Sequence, residues 1–166
     1  RRVAILGSTG SIGRQSLQVI ADHPGLSACA LAAGANVARL AAQARQFRPE
    51  VVALADAAGA AELRAALPPG TRLLTGPDAA TEMIAAARPD VLLSGAAGTA
   101  GVGPALAAIA AGCDLALANK ETLVAAGELV IPAARRAGVR LLPIDSEHSA
   151  MWQSLPESTC PPCALG

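Results

Sequence analysis

Short apolar runs alternate with longer segments of mixed polarity along most of the chain. The apolar runs predict strands at 3–6, 28–33, 51–55, 91–94, 114–118 and 140–144, and a further short run lies at 72–75. The intervening segments predict helices at 11–21, 37–47, 57–67, 77–87, 104–111 and 121–137. Asn36 is the expected N-cap of the second helix, and Pro77 fits the first turn of the fourth.

The strand runs are apolar at successive positions, so both faces of each strand are expected to be buried. Such strands are typical of a parallel sheet that helices cover on both sides. Together with the alternation of strands and helices, they predict an α/β fold with a Rossmann-like, doubly wound, mostly parallel sheet. The pattern is lost after residue 155, where 156–166 contains three prolines and has no period.

Composition narrows the classes of function. Hydrophobic residues make up 52% and charged residues 16% of the 166 positions, which excludes a disordered chain. Thirteen Lys and Arg balance thirteen Asp and Glu, so no basic excess indicates a nucleic-acid or membrane partner. Polar residues interrupt every apolar stretch before the roughly 18 residues of a membrane span. We therefore expect a soluble, cytoplasmic protein, with Cys29 and Cys113 as small buried residues in a reducing compartment.

A glycine-rich turn follows the first predicted strand and precedes the first predicted helix. Gly7, Gly10 and Gly13 are spaced as G-x-x-G-x-x-G. In dinucleotide-binding folds the first glycine permits the tight turn, the second lets backbone approach a pyrophosphate, and the third permits contact between helix and strand. The pattern predicts a dinucleotide site, and the alternative is a purely structural turn.

The residues after the second strand bear on the choice of dinucleotide. An NAD site usually places an acid there to hold the ribose 2′-hydroxyl, but no acid lies between Asp22 and Glu50. The segment 33–36 therefore favours NADP over NAD. Asn36 is expected to cap its helix and to face the ribose as well.

Lys120 is the only lysine of the chain and follows the predicted strand 114–118. Doubly wound folds bind ligands at this edge of the sheet, where a compact ammonium is useful. The alternative is a solvated surface lysine, which the helix dipole would disfavour at a helix start.

Two carboxylates follow the last predicted strand, at Asp145 and Glu147. Their oxygens suit Mg²⁺ or Mn²⁺, but acids at a helix N-terminus explain the spacing equally well. His148 is as consistent with a surface group as with a ligand, and His23 is expected only to end a helix. Cys160 and Cys163 form a C-x-x-C pair without a second pair, so chance explains them best.

Four motifs in order and spacing resemble the 1-deoxy-D-xylulose 5-phosphate reductoisomerase family: ILGSTGSIG at 5–13, AAGANV at 32–37, LANKETLV at 117–124 and LLPIDSEHSA at 141–150. The resemblance implies an NADPH-dependent oxidoreductase and isomerase that uses Mg²⁺ or Mn²⁺, with Co²⁺ as a further candidate. The implied reaction is the conversion of 1-deoxy-D-xylulose 5-phosphate to 2-C-methyl-D-erythritol 4-phosphate in non-mevalonate isoprenoid biosynthesis. The resemblance also implies a homodimer.

The resemblance assigns roles residue by residue. It implies that the pyrophosphate side of NADPH is held by the glycine loop, including Thr9, Gly10, Ser11 and Ile12. It implies ribose contacts at Gly34, Ala35 and Asn36, and further NADPH contacts at Asn119 and Glu121. Substrate contacts are implied at Lys120, Ser146 and Glu147, with Lys120 as the catalytic group, and metal ligands at Asp145 and Glu147.

The resemblance also implies a division of the chain. Residues 1–145 are expected to form an NADPH-binding domain and 146–157 the beginning of a catalytic domain. Residues 158–166 do not resemble the family's continuation, and their composition predicts a disordered tail or the start of a different segment. The family's remaining catalytic and C-terminal domains are absent from the chain, which is therefore expected to be inactive alone. Two alternatives are an NADPH-sensing domain without catalysis and a reductase of the aspartate-semialdehyde dehydrogenase type.

Overall fold

A computed structural model describes residues 1–118, 120–144, 150 and 154. Its centre is a seven-stranded sheet in which every pair of neighbours is parallel, in the order β4-β3-β2-β1-β5-β6-β7. The strands are β1 (Arg2–Leu6), β2 (Ser27–Ala33), β3 (Val51–Leu54), β4 (Arg72–Thr75), β5 (Val91–Ser94), β6 (Asp114–Leu117) and β7 (Leu141–Pro143).

Six helices connect the strands. They are α1 (Ser11–Asp22), α2 (Val37–Phe47), α3 (Ala60–Ala66), α4 (Ala79–Ala87), α5 (Val102–Ala110) and α6 (Glu121–Ala137). The first three pack on one face of the sheet and the last three on the other. Among the described residues, none of the helices has the length and apolar character that crossing a lipid bilayer requires.

Two separate cores result from this arrangement. Val3 and Ile5 of β1 point into the core under α1, α2 and α3, whereas Ala4 and Leu6 point into the core under α4, α5 and α6. Successive apolar residues are needed because each strand is covered on both faces. The predicted doubly wound, parallel sheet is therefore confirmed.

The topology creates one point at which the chain changes direction. From β1 the chain builds outward to β4, and α4 then crosses back over the sheet to start β5 on the other side of β1. The loops that leave β1 and β5 therefore run to opposite faces. Such a divergence opens a crevice at the carboxyl ends of the strands, where doubly wound folds bind ligands.

Many element boundaries differ from the sequence prediction by one to three residues, and α5 begins at Val102 rather than at Pro104. Helix α4 begins at Ala79, because Gly76 turns the chain with a φ of +106° and the carbonyl of Asp78 accepts the first helical bonds. Pro77 therefore precedes the helix. The third helix begins as a 3-10 turn, Ala57–Gly59, before α3, and α6 contains a non-helical residue at Ala126.

An irregularity in β2 places one of the predicted buried cysteines. The register with β1 shifts between Val3 and Ala4, whose partners are Ala28 and Ala30. Cys29 is the extra residue, and it joins Ala30 in the core under α4, α5 and α6. Cys29 and Cys113 are both buried and free, as expected from the sequence.

Candidate functional site

The glycine loop lies between β1 and α1, at the carboxyl edge of the sheet. The amides of Gly7 and Ser8 both donate to the carbonyl of Ala32 at 2.9 Å, which ties the loop to the end of β2. Gly7 has a φ of +78°, and a Cβ atom there would lie 2.8 Å from the carbonyl oxygen of Gly95. Glycine is therefore required at this position both by conformation and by space.

Gly13 brings the first turn of α1 against the loop. A Cβ atom on Gly13 would lie 2.4 Å from the carbonyl oxygen of Gly7 and 2.5 Å from the Cα atom of Ser8. Because these are backbone atoms, no side-chain movement could relieve the overlap. This close contact is the one that the third glycine of a dinucleotide loop permits.

The amino end of α1 is open to a negatively charged group. Gly10 is the N-cap residue, and within the described part of the chain no side chain caps this end and no acid lies in the first turn. Ser11 is exposed beside Gly10, and Thr9 and Ile12 are half-buried. Free amides and the helix dipole at such an end favour a phosphate.

Gln43 of α2 forms two hydrogen bonds to the glycine loop. Its Oε1 atom accepts a hydrogen bond from Ser8 Oγ at 2.8 Å, and its Nε2 atom donates to the carbonyl of Ser8 at 2.8 Å. Both residues are buried. Gln43 was not predicted from the sequence, although it carries a signal there, because it is a polar residue on the apolar stripe of α2 formed by Leu40, Ala41 and Ala44.

The turn after β2 borders the glycine loop. Gly34, Ala35 and Asn36 are exposed, and a Cβ atom on Gly34 would meet nothing within 4 Å. Asn36 Oδ1 accepts the backbone N–H of Arg39 at 3.0 Å, so the predicted N-cap is confirmed. The turn is therefore held by α2 and leaves open space above it.

Arg39 links this turn to the glycine loop. Its Nη1 atom donates to the carbonyl of Thr9 at 3.1 Å, and its side chain is exposed. Arg39 was not predicted as a site residue, because it lies 30 positions from Thr9 in the sequence. The only signal in the sequence was an arginine in the first turn of the helix that Asn36 caps.

A third loop follows β5 and closes the opposite side of the crevice. Ser94 is fully buried at the end of that strand, and Gly101 lies against it in a 3-10 turn, Gly98–Gly101. A Cβ atom on Gly101 would lie 2.9 Å from Ser94 Oγ and 2.8 Å from Thr122 Oγ1. The turn can therefore approach α6 only because this position is glycine.

Lys120 and Glu121 stand at the start of α6, at the same edge of the sheet. Both are exposed, and the carbonyl of Lys120 accepts the N–H groups of Leu123 and Val124 at 3.0 and 2.9 Å. The amide of Ala118 donates to the carbonyl of Ser94 at 3.0 Å, which fixes the end of β6 beside β5. The residues predicted on α6 thus share an edge with the glycine loop.

Several predicted positions lie outside the described residues. They are Asn119, Asp145, Ser146, Glu147, His148, Cys160 and Cys163. The amide of Ile144 donates to the carbonyl of Leu117 at 3.0 Å, so the chain reaches the carboxyl edge just before Asp145. Among the described residues, no group of three or more His, Cys, Asp and Glu side chains could hold a metal ion.

The two described cysteines are poor nucleophiles. Burial raises the pKa of Cys29 to about 11 and that of Cys113 to about 12. Because the thiolate is the reactive form, neither thiol is prepared for attack at neutral pH. An aspartate-semialdehyde dehydrogenase type of reaction needs such a cysteine, so these two residues argue against that alternative.

Comparison with known proteins supports the motif resemblance. The family model described as 1-deoxy-D-xylulose 5-phosphate reductoisomerase matches residues 3–127. A 1-deoxy-D-xylulose 5-phosphate reductoisomerase of Symbiobacterium thermophilum is 54% identical over 164 residues, which cover 92% of this chain and 41% of that protein. The chain belongs to the 1-deoxy-D-xylulose 5-phosphate reductoisomerase family. It spans about two fifths of the length of this relative.

Solved structures agree with this assignment. A DOX-P reductoisomerase in complex with NADPH, fosmidomycin and magnesium has a TM-score of 0.87 and 38% identity, covering 95% of this chain and 40% of that one. The enzyme from Zymomonas mobilis in complex with NADPH has a TM-score of 0.86 and 39% identity, covering 96% and 42%. The predicted fold class and family are therefore confirmed, whereas the division into domains and the roles of single residues stay predictions.

Proposed function

We propose that this chain is the NADPH-binding part of a 1-deoxy-D-xylulose 5-phosphate reductoisomerase. The whole protein would convert 1-deoxy-D-xylulose 5-phosphate to 2-C-methyl-D-erythritol 4-phosphate. Family membership supports the reaction, and the solved relatives in complex with NADPH support the cofactor. When bound, NADPH supplies the hydride, and the chain supplies binding and orientation.

The observation that carries the proposal is the cradle formed by Gly7, Gly10 and Gly13. Two of its positions exclude any Cβ atom by contacts of 2.8 Å and 2.4 Å with backbone oxygens. The amides at the start of α1 then face a pyrophosphate, with Thr9, Ser11 and Ile12 around it.

The ribose and nicotinamide ends of the cofactor have separate supports. Gly34, Ala35 and Asn36 border open space beside the glycine loop, which suits the adenosine ribose. Glu121, at the start of α6, would contact NADPH farther along the same edge, and Asn119, which lies outside the described residues, would add a further contact. We assign residues 1–145 to the cofactor domain, 146–157 to the start of a catalytic domain and 158–166 to a tail.

Lys120 is proposed to bind the sugar phosphate and to stabilise charge on a substrate oxygen. Its place at the carboxyl edge supports this role, since preorganised charge at the reacting oxygen is a large catalytic effect. Ser146 and Glu147 would also contact the substrate. Asp145 and Glu147 have the oxygen donors that suit Mg²⁺, Mn²⁺ or Co²⁺, which supplies Lewis-acid charge when bound.

A protein made of these 166 residues alone is proposed to bind NADPH without turning over substrate, since it spans two fifths of its relatives. The homodimer and the cytoplasmic location expected from the sequence stay predictions. An NADPH-sensing role without catalysis would differ in one respect, because the full-length protein would then not turn over 1-deoxy-D-xylulose 5-phosphate, and Lys120→Ala would have no turnover to lower. We expect a loss of roughly 100-fold or more in kcat/KM instead.

Gly13→Ala tests the cradle directly. The new methyl group would overlap the backbone at Gly7, so we expect NADPH binding to be lost in calorimetry and the stability to fall by about 1–3 kcal/mol. Gly25→Ala is the matched control, because a Cβ atom there meets nothing within 4 Å. It should bind NADPH like the unmodified chain. Normal binding by Gly13→Ala would contradict the cradle.

A further inference from the structure

We propose that Arg39 binds the 2′-phosphate of the adenosine ribose and makes the site prefer NADPH to NADH. The inference rests on the proposed function, because it names the group that recognises one end of the proposed cofactor. It starts from a contact between two parts of the site. Arg39 belongs to α2, yet its guanidinium reaches the carbonyl of Thr9 in the glycine loop, at 3.1 Å.

Arg39 is held by one hydrogen bond at its backbone and by another at its guanidinium. Its backbone N–H donates to Asn36 Oδ1 at 3.0 Å, and its Nη1 atom donates to the loop. The guanidinium therefore lies between the glycine loop, which faces the pyrophosphate, and the turn 34–36 after β2. In doubly wound folds the adenosine ribose lies across these two segments, and an arginine nearby accommodates a 2′-phosphate.

Most of the hydrogen-bonding capacity of Arg39 remains for a ligand. A guanidinium has five N–H donors in a planar fork, and the bond to Thr9 uses one of them. The side chain is exposed, and within the described residues it forms no ion pair. A phosphate can accept two parallel hydrogen bonds from such a fork, which makes the contact both strong and selective.

The other groups beside the turn do not supply this positive charge. Ala35 has no polar side-chain atom, and Asn36 uses its oxygen to cap α2. Asp56 follows β3, donates its amide to the carbonyl of Gly34 at 2.8 Å, and caps Ala58 with its carboxylate at 3.0 Å. Of the groups named at this turn, Arg39 is the one that offers a positive charge to a bound anion.

Arg45 offers a matched control on the same helix. Like Arg39, it is exposed and donates from Nη1 to a backbone carbonyl, that of Ala66 at 3.3 Å. It lies at the other end of α2, away from the glycine loop. Arg45→Gln removes the same charge from the same helix and so corrects for a general electrostatic effect.

The test measures dissociation constants of NADPH and NADH by calorimetry on the full chain and its variants. Arg39→Gln should raise the dissociation constant of NADPH by roughly 10- to 100-fold, the loss expected for a charge-assisted bidentate contact. It should change the dissociation constant of NADH by less than about twofold. Arg39→Lys keeps the charge without the planar fork of donors, so its dissociation constant for NADPH should lie between those of the unmodified chain and Arg39→Gln. Arg45→Gln should leave both constants unchanged.

Three other results would overturn the inference, and they are distinguishable. Equal weakening of NADPH and NADH by Arg39→Gln would mean that Arg39 only holds the glycine loop. Unchanged NADPH binding would mean that another group reads the phosphate. If the unmodified chain, folded by circular dichroism, bound neither nucleotide, the proposed function itself would fail and the inference with it.

Discussion

At the scale of single residues, the ligand-binding loop depends on a buried side chain that no ligand touches. Gln43 makes two hydrogen bonds of 2.8 Å to Ser8, one to its hydroxyl and one to its carbonyl. Removing one partner of a buried hydrogen bond costs more free energy of folding than a typical hydrogen bond contributes, because the remaining polar group stays unsolvated. The pair therefore links the shape of the loop to the packing of α2.

Gln43→Leu should destabilise the protein by roughly 2–4 kcal/mol in urea unfolding, because both atoms of Ser8 lose their partner. Gln18→Leu is the control, since Gln18 also bonds a side chain, at 3.2 Å to Asp22, but on the exposed face of α1. Its cost should stay within about 0.5 kcal/mol. Similar costs for the two variants would show that the bonds to Ser8 add nothing.

The two buried cysteines should resist alkylation in the folded protein. With pKa values raised by burial to about 11 for Cys29 and about 12 for Cys113, at most about a thousandth of either thiol is ionised at pH 8. Iodoacetamide should therefore label both slowly in the folded protein and rapidly in urea. Mass mapping of the peptides measures each site separately. Rapid labelling of the folded protein at either site would contradict the burial.

At the scale of elements, periodicity and turn residues predicted nearly every helix and strand, because local and tertiary preferences agree here. The run at 28–33 is apolar throughout and forms a strand buried on both faces. The start of α4 was wrong by two residues, since the turn at Gly76 sets the first helical bond. The bulge at Cys29 was not predictable, because it exists only in the pairing of β2 with β1.

Some residues of the candidate site could likewise be predicted from the sequence, and others could not. The glycine loop is a local motif, so its residues could be predicted from spacing alone. Arg39 and Gln43 act through contacts with residues 30 and 35 positions away, and no local pattern encodes such a contact. Their side chains became candidates only when the sheet placed α2 beside the loop.

The side-chain cap of α2 should contribute measurably to the stability of the protein. Asn36→Ala removes the acceptor for the N–H of Arg39 and should cost about 1 kcal/mol in urea unfolding without cofactor. Asp78→Ala is the matched control, because Asp78 is the N-cap of α4 but makes no side-chain capping bond. Its cost should be smaller by at least about 0.5 kcal/mol. A larger cost for Asp78→Ala would mean that the cap bond is not what stabilises α2.

Across the whole sheet, the amino edge, where the strands begin, and the carboxyl edge, where they end, carry different kinds of groups. At the amino edge, Arg2 donates to both carboxylate oxygens of Glu50 at 2.6 and 2.9 Å, and Asp114 pairs with Arg1 and Arg140. At the carboxyl edge, glycine turns and exposed polar side chains surround an open crevice. Parallel strands bring all their carboxyl ends together, so ligand groups collect at one edge while ion pairs tie the other.

The Asp114 cluster ties three separate segments, since Arg1 precedes β1, Asp114 begins β6 and Arg140 precedes β7. Burial would raise the pKa of the Asp114 carboxyl, but hydrogen bonds from Arg140 and Arg1 outweigh it and hold the pKa well below its usual range. A carboxyl with a depressed pKa in the folded state stabilises the protein above its unfolded pKa, near 4. That stabilisation is lost as the pH falls toward the folded value.

Asp114→Asn should therefore lower the free energy of unfolding at pH 7 by roughly 1–2 kcal/mol, a figure reduced for the solvent exposure of both arginines. The difference from the unmodified chain should shrink steadily below about pH 4, because the native carboxyl then loses its advantage over the unfolded one. Urea unfolding at several pH values between about 7 and 2.5 measures it. Arg140→Gln should show a smaller deficit with the same dependence, since Arg1 still pairs with the carboxylate. A deficit that stays constant with pH would assign the cost to packing and remove the ion pairs as its cause.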